Sequence, residues 1–566
     1  MKMNGARILL ECLKQEGVDT VFGYPGGTVI NIYDELFHCS GIKHILPRHE
    51  QGGTHAADGY ARVSGKVGVA IATSGPGATN TITGIATAYM DSVPMVIITG
   101  QVPTALIGND AFQEVDIIGM TRTCTKHSYL VRDVEEIAAT VKKAFYIARS
   151  GRPGPVLIDL PKDVQIAQTE FVYPETVDIR GYKPTFSGHP RQVEKAVNLI
   201  LDAHKPVLYV GGGVVLSNAS DELRELARML TLPVTTTLMG LSSFPGDEPL
   251  ALGMLGMHGA YCANMAMTHS DLIIAVGARF DDRVTAKIST FAPHAKIIHM
   301  DVDPTSIKKN VRVDLPIVGD VKDVLHKMIR QCEKQADRCS RFAESLKPWH
   351  DEILDWKTRH PFEYVQSSTV IKPQFVIEIL RDLSDEDAII STDVGQNQMW
   401  TAQFFKFRQP RTLLTSGGLG TMGFGLPAAM GAQVAFPDRQ VIAICGDGGV
   451  QMNIQEMATL VQNRLPVKLV ILNNNFLGMV RQWQEMFFDK NYSQTCLELP
   501  IDYVKLAEAY GAKGFVASKP DEVEEVIRKG FSEKGPVIME FKVAREEKVL
   551  PMVPAGASLN EMIFNA

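Results

Sequence analysis

Short β-branched runs alternate with amphipathic stretches of helix length from one end of this 566-residue chain to the other. That alternation predicts parallel strands joined by crossover helices, in sheets covered on both faces. The chain is too long for one core, so three α/β domains are expected. Candidate strands in the first block are 67–72, 95–99 and 156–159. In the second they are 207–210, 272–276 and 296–300, and in the third 388–392, 441–445, 467–472 and 537–541. Residues 169–190 are polar and broken by Pro and Gly, and 332–369 are charged and helical up to Pro361. Read as linkers, they set the expected domains at 1–180, 190–345 and 365–566.

Composition excludes several classes of function. The net charge is −7 with both signs mixed along the chain, which argues against a nucleic-acid partner. No apolar run reaches the ~18 residues that a membrane span needs. The opening segment MKMNGARILLECLKQEG reads as an amphipathic helix and resembles neither a signal nor a transit peptide. Eight cysteines lie scattered without a CxxC pair, as expected of reduced thiols in a cytoplasmic protein.

The most informative stretch is GDGGVQMNIQEMATLVQNRLPVKLVILNNN, residues 446–475. A glycine turn after a strand commonly cradles phosphate, yet Asp447 sits inside this one. Asn474 follows 27 positions later, after one predicted helix (about 453–463) and one strand. That spacing makes a βαβ unit with both residues at the carboxyl ends of neighbouring parallel strands, where α/β sheets bind ligands. A hard cation reconciles the carboxylate with a phosphate, because Mg²⁺ takes oxygen ligands from both. A helix-capping role would explain Asp447 but not the paired asparagine.

With these residues in place, 446–475 resembles the diphosphate motif of thiamine-diphosphate enzymes. The resemblance implies Mg²⁺ held by Asp447, Asn474 and the backbone oxygen of Phe476, with Gly448, Gly449, Leu477, Gly478 and Met479 around the cofactor. Gln396 and Asn397 in DVGQNQMW would face the diphosphate; many relatives carry histidine at the position of Asn397. Gly420 and Met422 in GGLGTMGFG would flank the pyrimidine, Met422 as the wedge that bends the cofactor. Met422 also suits a core filler. Glu50, in RHEQGGTHAADGYARVSGK, would be the acid that activates the pyrimidine, although a glutamate at a helix N-terminus is also favoured by the macrodipole. In this family the first domain of one subunit meets the third domain of another across the cofactor, which implies a homodimer or a tetramer built from dimers.

Four more stretches narrow the resemblance: GARFDDRVTAK (277–287), DAFQEVD (110–116), LGMVRQWQ (477–484) and VLPMVPAGAS (549–558). They are similar to the catalytic subunits of the acetohydroxyacid (acetolactate) synthase family, and the similarity spans nearly the whole chain. It implies a carboligase that decarboxylates pyruvate on thiamine diphosphate. The two-carbon unit then passes to a second 2-ketoacid, pyruvate or 2-ketobutyrate. Arg283 would clamp the acceptor carboxylate, unless it is engaged in an ion pair with Asp281 or Asp282. Trp483 would form the wall that senses one extra methylene, a discrimination worth only ~1–3 kcal/mol; ordinary core burial is the other reading. Phe112, Gln113 and Lys162 are further active-site positions of the family. FAD is implied in the middle domain, at Gly211, Gly212, Gly213, Thr237, Leu238, Met239, Met257, His258, Gly259, Gly277, Arg279, Asp301 and Asp320. The strand there runs into GGG rather than GxGxxG, so the dinucleotide fingerprint is absent. A small regulatory subunit is the usual partner of the biosynthetic members. Another flavin-containing thiamine-diphosphate enzyme, such as a pyruvate oxidase, is the competing reading.

Overall fold

The computed structural model describes residues 2–498 and 501–565. Three six-stranded parallel sheets carry the chain, and a two-stranded antiparallel pair joins Lys2–Asn4 to Gln168–Glu170. The first sheet runs Lys43–Ile45, Thr20–Gly23, Gly68–Ala72, Met95–Gln101, Pro155–Pro161, His127–Leu130. The third runs Leu413–Leu414, Ile389–Thr392, Val441–Gly446, Lys468–Asn473, Val537–Lys542, Lys513–Ala517. In each unit's own chain order both sheets read 2-1-3-4-6-5, so the first and third units share a topology. The central strands are buried on both faces, which is why they read as continuous β-branched runs rather than as an alternation.

The middle sheet runs Ala251–Met254, Val234–Thr236, Pro206–Val210, Leu272–Val276, Lys296–Asp301, Leu315–Val318. Its own order is 3-2-1-4-5-6, the doubly wound arrangement whose crevice lies where the strand order reverses. That crevice falls between the ends of Pro206–Val210 and Leu272–Val276, the strands that lead into Gly211 and Gly277. A dinucleotide topology is therefore present although the glycine fingerprint is not.

Residues 336–359 are not a free connection. They form the helices Ala336–Ser345 and Lys347–Arg359, whose Phe342, Trp349 and Trp356 are buried against the middle sheet and its helices. The Trp349 indole N–H donates to Pro206 O at 3.1 Å. Charged residues cover the outer face, and it is this face that makes the stretch read as a linker.

The first and third units pack directly on each other within one chain, and small residues make this possible. The helix Glu50–Ser64 lies along Gly425–Ala435, with Gly59 against the Ala428 backbone and Gly431 against that of Ala56. Polar groups lock the contact. Arg62, buried, pairs with Asp91 at 2.9 Å and donates to Thr415 O at 3.0 Å. Asp91 in turn accepts from the N–H groups of Gly417 and Gly418, at 3.1 and 2.7 Å. The loop that carries Gly420 and Met422 is thus held by the first unit.

A second lock is Glu456, fully buried at the start of the helix Glu456–Gln462. Its carboxylate accepts the N–H groups of Arg48 and His49 at 3.0–3.1 Å, just before Glu50. Burial pushes its pKa up to about 7, against the opposing pull of the Thr459 hydroxyl and those N–H groups. The folded state therefore binds this proton more tightly than the unfolded chain. The stability it contributes is complete below pH ~4.5 and lost as pH rises through 7, by up to ~3 kcal/mol. Melting curves from pH 4.5 to 8 should show the parent losing stability relative to Glu456→Gln, in which that slope is removed.

Candidate active site

The third sheet builds the end of the site at which Asp447 and Asn474 lie. Gly446 pairs in register with Leu472, so Asp447 and Asn474 leave the ends of adjacent parallel strands. Asp447 is buried, and its Oδ1 has no hydrogen-bond partner among the described residues. Burial raises its pKa to about 7, although the backbone N–H groups of Asn474 and Asn475 pull the other way. An orphaned, desolvated carboxylate oxygen at a ligand-binding edge is what a divalent cation would complete. Among the described residues there is no group of three or more His, Cys, Asp or Glu able to hold a metal. An Mg²⁺ shared with a diphosphate needs no such group, because phosphate and water oxygens fill the remaining positions.

The surrounding residues are tightly interlocked. Asn474 Nδ2 donates to Gln396 Oε1 at 3.1 Å, and its Oδ1 accepts the Phe476 N–H at 3.1 Å. Gln396 Nε2 donates to Gln482 Oε1 at 3.0 Å and to Glu547 O at 2.8 Å. Gln482 also binds both backbone groups of Val549, at 2.8 and 3.1 Å. This glutamine fastens the C-terminal segment to the Gln396–Asn474 pair. It lies inside LGMVRQWQ, but only tertiary contact reveals its task. The Asn397 amide nitrogen is engaged by Asp393 O and Ile444 O, which leaves its carbonyl oxygen beside Gly446. The glycines of the turn are needed for space: a Cβ on Gly449 would meet Asp393 Oδ1 at 2.6 Å, and one on Gly448 would meet Leu477 at 2.7 Å.

A cavity of about 640 Å³ runs from the middle unit to the third. Its middle-unit wall contains Gly211, Gly212, Gly213, Thr237, Leu238, Met239, Met257, His258, Gly277, Arg279, Asp301 and Asp320. Of the thirteen middle-unit positions singled out in the sequence, Gly259 alone lies outside the wall; it turns the backbone toward Gly256 O. Two glycine turns touch here: a Cβ on Gly213 would lie 2.7 Å from Gly277 Cα, and Gly277 has φ 58°. Asp301 ends the next strand, where a carboxylate can accept from a ribose hydroxyl. Burial lowers the His258 pKa to about 4, so a neutral imidazole faces the cavity. Glycine turns at the switch point, an acidic strand end and an apolar wall fit a dinucleotide.

The same cavity opens onto Gly420, Met422, Met479, Val480, Trp483 and Arg283. Trp483 lies on the helix Gly478–Phe487, is only partly buried, and meets Phe487 edge-on at 5.7 Å. It is therefore wall rather than core. Arg283 is exposed, its guanidinium 3.7 Å from Asp282, and its backbone N–H donates to Asp281 Oδ1 at 3.1 Å. The weak exposed pair leaves the guanidinium available to a carboxylate ligand.

Met90, Asp91, Ser92, Arg149 and Gly151–Pro153 of the first unit also line this cavity, but the first-unit positions singled out in the sequence stand apart from it. Glu50, Phe112, Gln113 and Lys162 do not line it. Glu50 begins the helix Glu50–Ser64, is half-buried, and accepts from Asn80 Nδ2 at 2.9 Å. Gln113 lies beside Gly75 with φ 59°, and Phe112 is 88% exposed. Lys162 opens the short helix Lys162–Ile166.

Two α/β units of matched topology, one bearing the helix that begins at Glu50 and the other a strand end with an orphaned buried carboxylate, fit the architecture of a thiamine-dependent enzyme. The sequence comparisons agree. Residues 3–120 match the thiamine pyrophosphate enzyme N-terminal TPP-binding domain, 193–328 the central domain and 393–541 the C-terminal TPP-binding domain. The chain is 48% identical to the acetolactate synthase large subunit of Haemophilus influenzae, across 100% of this chain and 98% of the relative. It is 47% identical to the acetolactate synthase isozyme 3 large subunit of Escherichia coli K12, across 99% and 98%. It is 49% identical to a probable acetolactate synthase large subunit of Methanocaldococcus jannaschii, across 99% and 95%. The chain belongs to the acetolactate synthase large-subunit family of thiamine pyrophosphate enzymes.

Proposed function

We propose that this protein is an acetohydroxyacid synthase. It decarboxylates pyruvate and joins the remaining two-carbon unit to a second 2-ketoacid. Pyruvate as acceptor yields 2-acetolactate, and 2-ketobutyrate yields 2-aceto-2-hydroxybutyrate, the first common step of branched-chain amino-acid biosynthesis. The observation that carries this reading is the single cavity in which Met422, Met479 and Trp483 form an apolar wall with Arg283 at its rim. A 2-ketoacid needs that combination, an apolar recess for its alkyl group and a fork-shaped cation for its carboxylate.

Thiamine diphosphate supplies a carbon nucleophile and an electron sink for decarboxylation. Asp447, Asn474 and the Phe476 carbonyl would hold the Mg²⁺ that anchors its diphosphate. Met422 and Gly420 would shape the pyrimidine side, and Glu50 would exchange a proton with that ring. Arg283 would orient the acceptor, and Trp483 would set the depth of its pocket. The middle-unit crevice would hold FAD without net redox change. Since Glu50 lies outside the cavity, a homodimer in which one chain's Glu50 faces its partner's metal end is the reading that completes the site. Exposed Phe112, Leu419, Met452 and Val480 suit burial between chains. A small regulatory subunit would be a further partner. No helix among the described residues is long and apolar enough to cross a membrane; the chain is proposed to work in the cytoplasm.

Purified protein with thiamine diphosphate, Mg²⁺ and FAD should convert pyruvate to acetolactate and CO₂ without oxygen uptake. Stoichiometric oxygen consumption would establish the pyruvate oxidase reading instead. Trp483→Leu should lower the preference for 2-ketobutyrate over pyruvate by about tenfold, the worth of one apolar methylene contact. A competition assay with both ketoacids measures this, and an unchanged ratio would remove Trp483 from the pocket.

A further inference from the structure

Phe476 contributes only a backbone carbonyl to the metal position proposed above, yet its ring is gripped. The Arg481 guanidinium lies 5.0 Å from the ring centroid and that of Arg545 lies 4.8 Å from it. Arg481 is 4% exposed, on the helix that carries Trp483. A buried guanidinium needs counter-charge, and Glu485 and Glu546 supply it at 2.9 and 3.3 Å. Tyr492 sits on the same cation at 4.9 Å. Arg545 is anchored at the surface by Glu498 at 2.5 Å.

The backbone around Phe476 shows what this grip controls. Leu477 N–H donates to Thr495 O at 2.9 Å, and Leu497 N–H donates to Asn475 O at 2.8 Å. Phe476 and Cys496 are the antiparallel pair between those bonds. In such a pair the N–H and C=O of the intervening residue turn away from the partner strand. The Phe476 N–H accordingly reaches Asn474 Oδ1, and its carbonyl leaves the chain on that same edge, the side of the metal ligands. Rotation about this peptide would swing the carbonyl away; the Leu477 N–H bond to Thr495 O opposes it from the neighbouring strand, and the held ring opposes it from the side chain.

We propose that the Arg481–Phe476–Arg545 stack is a positioning device for the metal, with Arg481 as its principal positioning residue. The inference rests on the Mg²⁺ reading of Asp447 and Asn474. It assigns work to a side chain that the ligand set itself does not use. Tyr492 brings the segment after Trp483 onto the same cation, so the metal end and the substrate wall share one support.

Calorimetric titration of Mg²⁺ into the full-length protein with excess thiamine diphosphate tests it, with melting of the metal-free protein as the folding control. Phe476→Leu keeps apolar bulk but loses the π face, and should weaken Mg²⁺ binding about five- to tenfold. Phe476→Tyr should bind like the parent. Arg481→Lys, which keeps charge but not the planar face, should weaken binding in the same direction. Parent-like binding by Phe476→Leu, or equal weakening by Phe476→Tyr, would overturn the proposal. If Phe476→Leu does not fold, Arg545→Gln at its half-exposed site decides: about threefold weaker binding supports the stack, and unchanged binding overturns it. An unaltered Mg²⁺ isotherm in Asp447→Asn would overturn the metal reading itself, and the stack with it.

Discussion

Asp447→Asn is expected to abolish Mg²⁺-dependent binding of thiamine diphosphate and to lower acetolactate formation by about a thousandfold or more. Asp447 is the sole carboxylate in the proposed ligand set, and an amide offers a hard cation a dipole in place of a charge. The metal-free variant should melt no lower than the parent near pH 8. The reason is that Asp447 Oδ1 is buried without a partner, and a desolvated carboxylate destabilises the fold that holds it. Calorimetry and melting curves with and without Mg²⁺ separate the two effects. A stabilising response to Mg²⁺ that persists in the variant would place the metal elsewhere.

Glu50→Gln should lower turnover by about 10²- to 10⁴-fold, the range for a positioned proton-transfer group, while cofactor affinity is largely retained. Gln can keep the bond with Asn80, so the helix start should survive. The same variant tests subunit geometry. Mixed after reversible dissociation, inactive Glu50→Gln and inactive Asp447→Asn chains should recover roughly a quarter of parent activity. Half of the dimers would be mixed, and each would contain one site with both native residues. No recovery would mean that Glu50 and Asp447 serve a site within one chain. Retained turnover in Glu50→Gln would instead transfer the proton role to another group.

Much of this fold is legible in the sequence. The strands expected at 272–276, 441–445 and 537–541 are present, the last two each one residue longer; they are legible because central parallel strands are continuous apolar runs. The short strands Lys43–Ile45, Val234–Thr236 and Leu413–Leu414 are not. Three residues or fewer carry no usable period, and their pairing partners are remote in sequence. Residues 336–359 read as a linker because charge on the outer face outweighs three well-spaced aromatics on the inner one. The dinucleotide order of the middle sheet was invisible for a related reason. Strand order is a property of which crossover goes where, and the GGG turn lacks the spacing that usually announces it.

The site divides along the same line. Asp447 and Asn474 could be paired from spacing alone, because one βαβ unit rigidly relates two adjacent strand ends. Sequence by itself determined the alternation, the three units and the pairing of Asp447 with Asn474 at adjacent strand ends, all of which depend on contacts within a few tens of residues. Tertiary structure alone decided that the middle-unit crevice and the Trp483 wall share one cavity, that Arg62, Asp91 and Glu456 weld the first unit to the third, and that Glu50 lies apart from its own chain's cavity. Those facts rest on contacts up to 408 positions apart. At such separations only the packing of finished units, not periodicity or spacing, determines which side chains meet.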